Sequence, residues 1–202
     1  LVVSEDQFFD GDSHTLVADR SIRVDDDVTV STRNVATPTT ADHETAASEG
    51  DSGNLTLDAP QILLDPGSKL LTFADNGFEG GDITLQATHQ LDPVLAALFG
   101  GETIANVELH EATLDGENVT ISAFANSSTD FNDEPDPNNP NDESDEPGNP
   151  LIGALGFSPL AGTSISDATA SILIGEGSTI NATTLDMDAE AKTAAKTIVG
   201  FT

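Results

Sequence analysis

Apolar and polar residues alternate in four short stretches of the chain: Asn54-Leu-Thr-Leu-Asp-Ala59, Asp82-Ile-Thr-Leu-Gln-Ala87, Asn118-Val-Thr-Ile-Ser-Ala123 and Thr184-Leu-Asp-Met-Asp-Ala189. A period of two puts every second side chain on one face of a strand, so each stretch predicts a short β-strand with one buried face. The predicted buried pairs are Leu55 and Leu57, Ile83 and Leu85, Val119 and Ile121, and Leu185 and Met187. The Ala that closes each copy carries almost no side chain and suits a tight corner.

A second unit alternates with the first. Gln61-Ile-Leu-Leu-Asp-Pro-Gly-Ser-Lys-Leu70 aligns without a gap on Ser171-Ile-Leu-Ile-Gly-Glu-Gly-Ser-Thr-Ile180. Weaker copies start at Ser21-Ile-Arg-Val24, closing near Val28, and at Asn106-Val-Glu-Leu109, closing near Leu114. The Gly-Ser pairs at 67–68 and 177–178 supply turn chemistry between two short strands. One repeat therefore reads as strand, turn, strand, connection, strand. Three short strands per coil with branched apolar residues inside is the plan of a right-handed parallel β-helix, a solenoid of about four to six coils. The fold class expected is thus all-β, with loop insertions and one short helix.

Equivalent positions Ile22, Ile62, Val107 and Ile172 are separated by 40, 45 and 65 residues. Constant strands at uneven spacing place insertions at corners, where a solenoid tolerates them because they leave its stack undisturbed. They are expected at about 34–53, 73–81, 88–105 and 126–168 within a single segment spanning 1–202. Asp92-Pro-Val-Leu-Ala-Ala-Leu-Phe-Gly100 has an N-cap, a Pro at the first helical position and a terminal Gly, which predicts the short helix. That stretch and the apolar, Gly/Pro-interrupted run 150–161 are expected to cover the solenoid flank, with a sticky patch for a partner as the competing reading. The Ala-rich stretch 188–196 reads as the last repeat strand leading out rather than as a helix.

Composition supports the solenoid. Hydrophobic residues make up 37% and aromatics 4%, with no Trp, Tyr or Cys. A compact globule buries several large rings, whereas a narrow stacked interior of Val, Ile, Leu and Ala does without them. The missing cysteines exclude a disulfide framework and a thiolate site. No run of apolar residues is long enough to span a membrane as a helix. The chain starts at Leu1 without a signal peptide and closes on an apolar run at 197–201, so it reads as a piece of a longer polypeptide.

Charge narrows the function classes. Six Lys and Arg stand against 36 Asp and Glu, a formal net charge of −30. Such a surface repels phosphate backbones and anionic membranes. It suits hard cations or a screening, high-salt medium, and it also keeps a repetitive β protein soluble. The densest acidic stretch lies in the Pro/Asn-rich segment 128–150, read as an exposed flexible loop. Its carboxylates Asp130, Asp133, Glu134, Asp136, Asp142, Glu143, Asp145 and Glu146 are the candidate calcium ligands, although they match neither the EF-hand spacing nor the glycine-rich calcium nonapeptide. Asp25, Asp26 and Asp27 form a second acidic corner, read as a solvated turn. Arg20, Arg23 and Arg33 lie near it in sequence, where local charge pairing accounts for them. His14, His43, His89 and His110 are far apart and read as surface residues rather than ligands. Sequons at Asn54, Asn118, Asn126 and Asn181 arise from the Asn/Thr-rich repeats and are not read as glycan sites. No nucleophile elbow, P-loop or dinucleotide fingerprint is present, and the chain reads as non-catalytic.

The run Leu151-Ile-Gly-Ala-Leu-Gly-Phe-Ser-Pro-Leu-Ala-Gly-Thr-Ser-Ile-Ser-Asp-Ala-Thr-Ala-Ser-Ile-Leu-Ile-Gly-Glu-Gly-Ser-Thr-Ile-Asn-Ala182 resembles repeats of giant exported proteins of Gram-negative bacteria, the filamentous-haemagglutinin and autotransporter class of β-helical adhesins. The resemblance covers most of 15–35, 54–87 and 106–202 and concerns architecture rather than activity. It implies a right-handed β-helix, an extracellular or cell-surface location, and a stalk, adhesive or filament-forming role. It carries no catalytic residues. The implied partners are flanking repeats of the same chain or identical copies stacked end to end, and surface glycans. The competing function is a polysaccharide-binding or polysaccharide-cleaving β-helix protein, a class that uses carboxylates, often with calcium and a Lys or Arg.

Overall fold

The computed structural model describes residues 1–36, 40–92, 101–127, 162–163, 166–193 and 197–198. Among these residues the chain is all-β apart from one helical turn and a half. Its strands run in successive triplets. The first triplet is β1 (Val2–Val3), β2 (Gln7–Phe8) and β3 (His14–Val17). The second is β4 (Ser21–Val24), β5 (Thr29–Ser31) and β6 (Leu55–Asp58), with helix α1 (Thr40–Thr45) between β5 and β6. The third is β7 (Gln61–Leu64), β8 (Lys69–Leu71) and β9 (Ile83–Gln90), and the fourth β10 (Gly101–Leu109), β11 (Thr113–Asp115) and β12 (Asn118–Asn126). The two-residue strand β13 (Gly162–Thr163) precedes the fifth triplet, β14 (Ser166–Ile174), β15 (Thr179–Asn181) and β16 (Thr184–Lys192), and β17 (Thr197–Ile198) follows it.

Each member of a triplet joins a different sheet. The first sheet runs β1-β4-β7-β10-β14, the second β2-β5-β8-β11-β15, and the third β3-β6-β9-β12-β16. The sheets are parallel, an arrangement consistent with a parallel β-helix. Chain contacts divide the protein into two compact units. One consists of Leu1–His89, Ile104–Ala125 and Thr169–Ala191; the other consists of Gln90–Thr103, Asn126–Ala168 and Lys192–Thr202. In the second unit β13 pairs antiparallel with β17, Leu91 N–H donates to the Asn126 carbonyl at 3.1 Å, and Ser127 N–H to the Lys192 carbonyl at 3.0 Å.

The register follows the apolar pattern. Leu55 pairs with Ile83 and Leu57 with Leu85, Ile22 with Ile62 and then Val107, and Val30 with Leu70 and then Leu114 and Ile180. Ile22, Leu55, Leu57, Leu64, Leu70, Ile83, Leu85, Leu109, Leu114 and Ile121 are wholly buried. Each such side chain contributes about 1.5–3 kcal/mol relative to staying exposed. A one-residue slip would turn all of them to solvent, which locks the stacking.

Several sequence expectations are refined. The copy that begins at Ser21 closes at Val30, not Val28, because Val30 is the residue paired with Leu70. β3 is a fifth member of the Leu55-type strand set, in register with β6, although His14 stands where the first of the paired leucines stands in β6. Ala87 and Ala123 are not corners: their strands continue to Gln90 and Asn126, and the two residues are small inward fillers. β9 and β10 also run into the span 88–105 assigned to an insertion. The helix that is observed is α1, in the 34–53 insertion; the stretch 93–100, most of the predicted helix, and all of 128–161 lie outside the described residues. The end of the chain follows the sequence reading as far as Lys192, with β16 in place of a helix. Among the described residues no helix is long and apolar enough to cross a membrane.

The corner between the first and second sheets carries one left-handed residue in each triplet from the second to the fifth: Asp27 (φ 59°), Gly67 (φ 77°), Glu111 (φ 49°) and Gly177 (φ 83°). Acid and glycine alternate along this column. A Cβ on Gly67 would run into the Asp27 carboxylate, and one on Gly177 would lie 2.9 Å from Glu111 Cγ. The acidic side chains thus fold over the glycine of the next triplet. Gly67→Ala is expected to cost about 1–3 kcal/mol, from left-handed strain plus this collision. In urea unfolding, Asp27→Gly in the same chain should recover part of the loss. Strictly additive effects would show that the two residues do not collide.

A braced corner between the second and third sheets

Between β5 and β6 the chain leaves the sheet, and α1 returns over the outward face of the second sheet. The pairing register stacks Phe8, Ser31 and Leu71 in one row on that face. His43 of α1 lies over the row, its ring 4.1 Å from and nearly parallel to that of Phe8, with Nδ1 2.9 Å from Ser31 Oγ. Glu44 makes an ion pair with Lys69 on β8. His43 is completely buried, which corrects its reading as a surface residue.

Arg33 holds this insertion in place. It too is completely buried, and its guanidinium donates to the carbonyls of Phe73 (3.1 Å), His43 and Ala46 (2.9 Å) and to Ser48 Oγ (3.3 Å). It stacks 3.6 Å from the centre of the Phe73 ring, and Asp75 lies 3.6 Å away. Burial lowers the Arg33 pKa from its ordinary value, while Asp75 and Asp115 push it back up. Burial likewise raises the Asp115 carboxyl, opposed by a hydrogen bond from the Asn181 amide and by the charge of Arg33. A planar fork with five donors suits three carbonyls and a hydroxyl from separate segments, which a lysine ammonium does not match. Arg33 therefore takes no part in the pairing expected near Asp25, Asp26 and Asp27. Arg23 does: it bridges Asp25 at 3.3 Å and Asp65, so this acidic corner supplies its own cation. Asp65 raises the Arg23 pKa above its ordinary value, through the hydrogen bond first and its charge second.

The second insertion, residues 72–82, is fixed to the first. Asn76 and Gly77 both have positive φ (58° and 86°), and Phe78 N–H donates to the Asp75 carbonyl at 3.2 Å. This is the pattern of a type I′ turn, favoured by Asn-Gly. Ser48 N–H donates to Asp75 Oδ1 at 2.6 Å, Ser52 Oγ to the Phe73 carbonyl at 3.0 Å, and Ser52 N–H to the Glu79 carbonyl at 2.9 Å. Glu79 N–H in turn donates to Asp51 Oδ1 at 3.0 Å. In the next two triplets the same corner shrinks to Gly116 with Glu117, and to Ala182 with Thr183. A raised loop beside minimal corners leaves a recess of about 350 Å³, lined by Phe73, Phe78, Glu79, Gly116, Glu117 and Thr183. Phe78 is 39% exposed there.

The remaining polar groups are mostly satisfied within the fold. A depression on the outward face of the first sheet is lined by Ser21, Arg23, Gln61, Leu63, Asn106 and Glu108; at its edge Ser171 Oγ donates to Asn106 Oδ1 at 2.9 Å, and Glu108 lies 3.3 Å from His110. His14 stacks on Phe9 at 3.8 Å, and His89 Nδ1 accepts from Ile104 N–H at 3.0 Å. Three sequon asparagines are tied into ladders: Asn54 Oδ1 accepts from Asp82 N–H, Asn118 Nδ2 donates to Asp82 Oδ1, and Asn181 Nδ2 to Asp115 Oδ2. Among the described residues no three His, Asp or Glu side chains come together to hold a metal ion. The candidate calcium ligands Asp130, Asp133, Glu134, Asp136, Asp142, Glu143, Asp145 and Glu146 lie outside the described residues. The recess and the Arg33 hub were not foreseen. The one usable signal for the recess was the Asn76-Gly77 turn carrying a solitary Phe.

No family model, curated protein or solved structure matches this chain.

Proposed function

We propose that the chain is a right-handed parallel β-helix serving as a non-catalytic structural or adhesive segment of an extracellular bacterial surface or filament protein. The observation that carries this reading is the state of the fifth triplet. Its strands β14, β15 and β16 stand last in their three sheets. Ile174, Leu185 and Met187, at positions that are buried in the earlier triplets, are 39%, 45% and 48% exposed. Among the described residues no strand pairs beyond these three, and a sheet edge with an apolar cross-section favours one more layer of the same kind. The first triplet differs, since Gln7 and His14 occupy two of its inward register positions. Flanking repeats or identical copies are the partners that suit such a face, and the −30 charge suits a solvated exterior.

Antibody labelling tests the location. Antibodies raised against the 202-residue chain should label intact producing cells, and brief external protease treatment should remove the signal. Labelling that requires cell lysis would overturn the extracellular reading. Glycan binding is the second reading, and the recess beside Phe78 favours it.

A further inference from the structure

We propose that the recess between the raised 72–82 loop and the Gly116–Glu117 corner is a binding site for a neutral pyranose. This deepens the adhesive part of the function proposed above by naming a ligand class.

Both walls are preformed: in the lower one Gly116 N–H donates to the Asn181 carbonyl at 3.1 Å and Glu117 N–H to the Gly81 carbonyl at 2.9 Å. Asp51 and Ser52 hold the backbone of Glu79, Ser48 holds Asp75, and the Asn76-Gly77 turn fixes the approach to Phe78. Little ordering is therefore left to oppose a ligand. The volume, about 350 Å³, accommodates one sugar ring and lies at the lower end of the range for small-molecule sites. A pyranose presents an apolar C–H face and an equatorial belt of hydroxyls. The exposed Phe78 ring offers a surface for the first, and the Glu79 and Glu117 carboxylates and the Thr183 hydroxyl offer partners for the second. Neither glutamate forms an ion pair among the described residues, so their lone pairs are open to hydroxyl donors. Hydroxyl-to-carboxylate hydrogen bonds are charge-assisted and roughly twice as strong as neutral ones. The same carboxylates, on a chain of net charge −30, repel uronic, sialylated and sulfated sugars. The geometry thus selects by charge as well as by shape.

The test is an amide-resonance titration of the whole chain with methyl glucopyranoside, galactopyranoside and mannopyranoside, each to about 50 mM, with sodium glucuronate as the charged comparison. At least one neutral glycoside should give saturable shifts centred on Phe78, Gly80, Gly116 and Thr183, with a millimolar Kd. Phe78→Ala should abolish them and Glu117→Gln weaken binding about tenfold. Asp58→Asn, on another face, should leave it unchanged. Phe78 is partly exposed, and thermal unfolding of each variant separates lost binding from lost structure. No saturable shift with any neutral glycoside, equal binding of glucuronate, or binding indifferent to Phe78→Ala in a folded variant would each overturn the proposal. None of these results bears on surface labelling, so this inference and the scaffold reading fail separately.

Discussion

Replacing Arg33 with Met is expected to lower stability by about 3–5 kcal/mol, the largest loss from any single polar side chain in the described part of the protein. Methionine fills much of the same volume, so the loss isolates the hydrogen bonds rather than a cavity. The variant leaves the carbonyls of Phe73, His43 and Ala46 inside the protein with no donor, and each stranded acceptor costs about 1–3 kcal/mol. The contact with the Phe73 ring disappears as well. In thermal unfolding a loss of 3 kcal/mol corresponds to roughly 6–12 °C for a chain of this size. Arg33→Lys should recover only a minor part, since one ammonium cannot reach carbonyls on two insertions at once. A second readout locates the damage. Proteolysis at residues 46–52 should accelerate in both variants before global unfolding, because the guanidinium fastens that segment to Phe73. A loss below about 1 kcal/mol in urea unfolding would mean that water replaces the guanidinium, and that Arg33 is not the hub.

Arg33 also marks the limit of what could be read from the sequence. The strands that were legible are those in which an inward pair is apolar in every copy: Leu55 and Leu57, Ile83 and Leu85, Val119 and Ile121. Their period of two is a local property, so no partner needs to be known. β3 escaped because His14 stands where Leu55 and Ile83 stand, and Val17, the other β3 residue that breaks the alternation, points outward and is exposed. α1 escaped for a related reason. Its six residues, Thr-Ala-Asp-His-Glu-Thr, contain no apolar stripe, and it is held by a ring stack, a hydrogen bond and an ion pair to residues 12 to 35 positions away. Arg33 looked like one of three cations near an acidic turn, which is a reasonable local account and true of Arg23. Only the register, which brings Phe73 back beside Arg33 after 40 residues, shows that its partners are carbonyls. Backbone acceptors carry no side-chain signature, so nothing in the residue string announces them.

The second large effect separates the interior of the stack from its last layer. Leu85 and Met187 occupy equivalent positions in the repeat, one in the third triplet and one in the fifth. Leu85 is wholly buried, packed in register with Leu57; Met187 is 48% exposed. Leu85→Ala is expected to cost about 3 kcal/mol, the transfer term plus a cavity that rigid strands on both sides cannot collapse. Met187→Ala should cost about 0.5–1 kcal/mol, because half of the side chain is already in water and, among the described residues, no strand layer lies beyond it to leave a void. Denaturant unfolding of the 202-residue chain at low protein concentration gives both numbers under one condition. A ratio near threefold or more places Met187 at an open face. Equal losses would mean that the face is covered in solution and that the fifth triplet does not await another layer. Raising the protein concentration sharpens the distinction. If copies add to that face, Met187 becomes interior, and the cost of Met187→Ala should climb toward that of Leu85→Ala as association proceeds, while the cost of Leu85→Ala stays fixed. Added salt should act as concentration does, raising the cost of Met187→Ala and leaving that of Leu85→Ala fixed, since screening a charge of −30 favours association between identical chains.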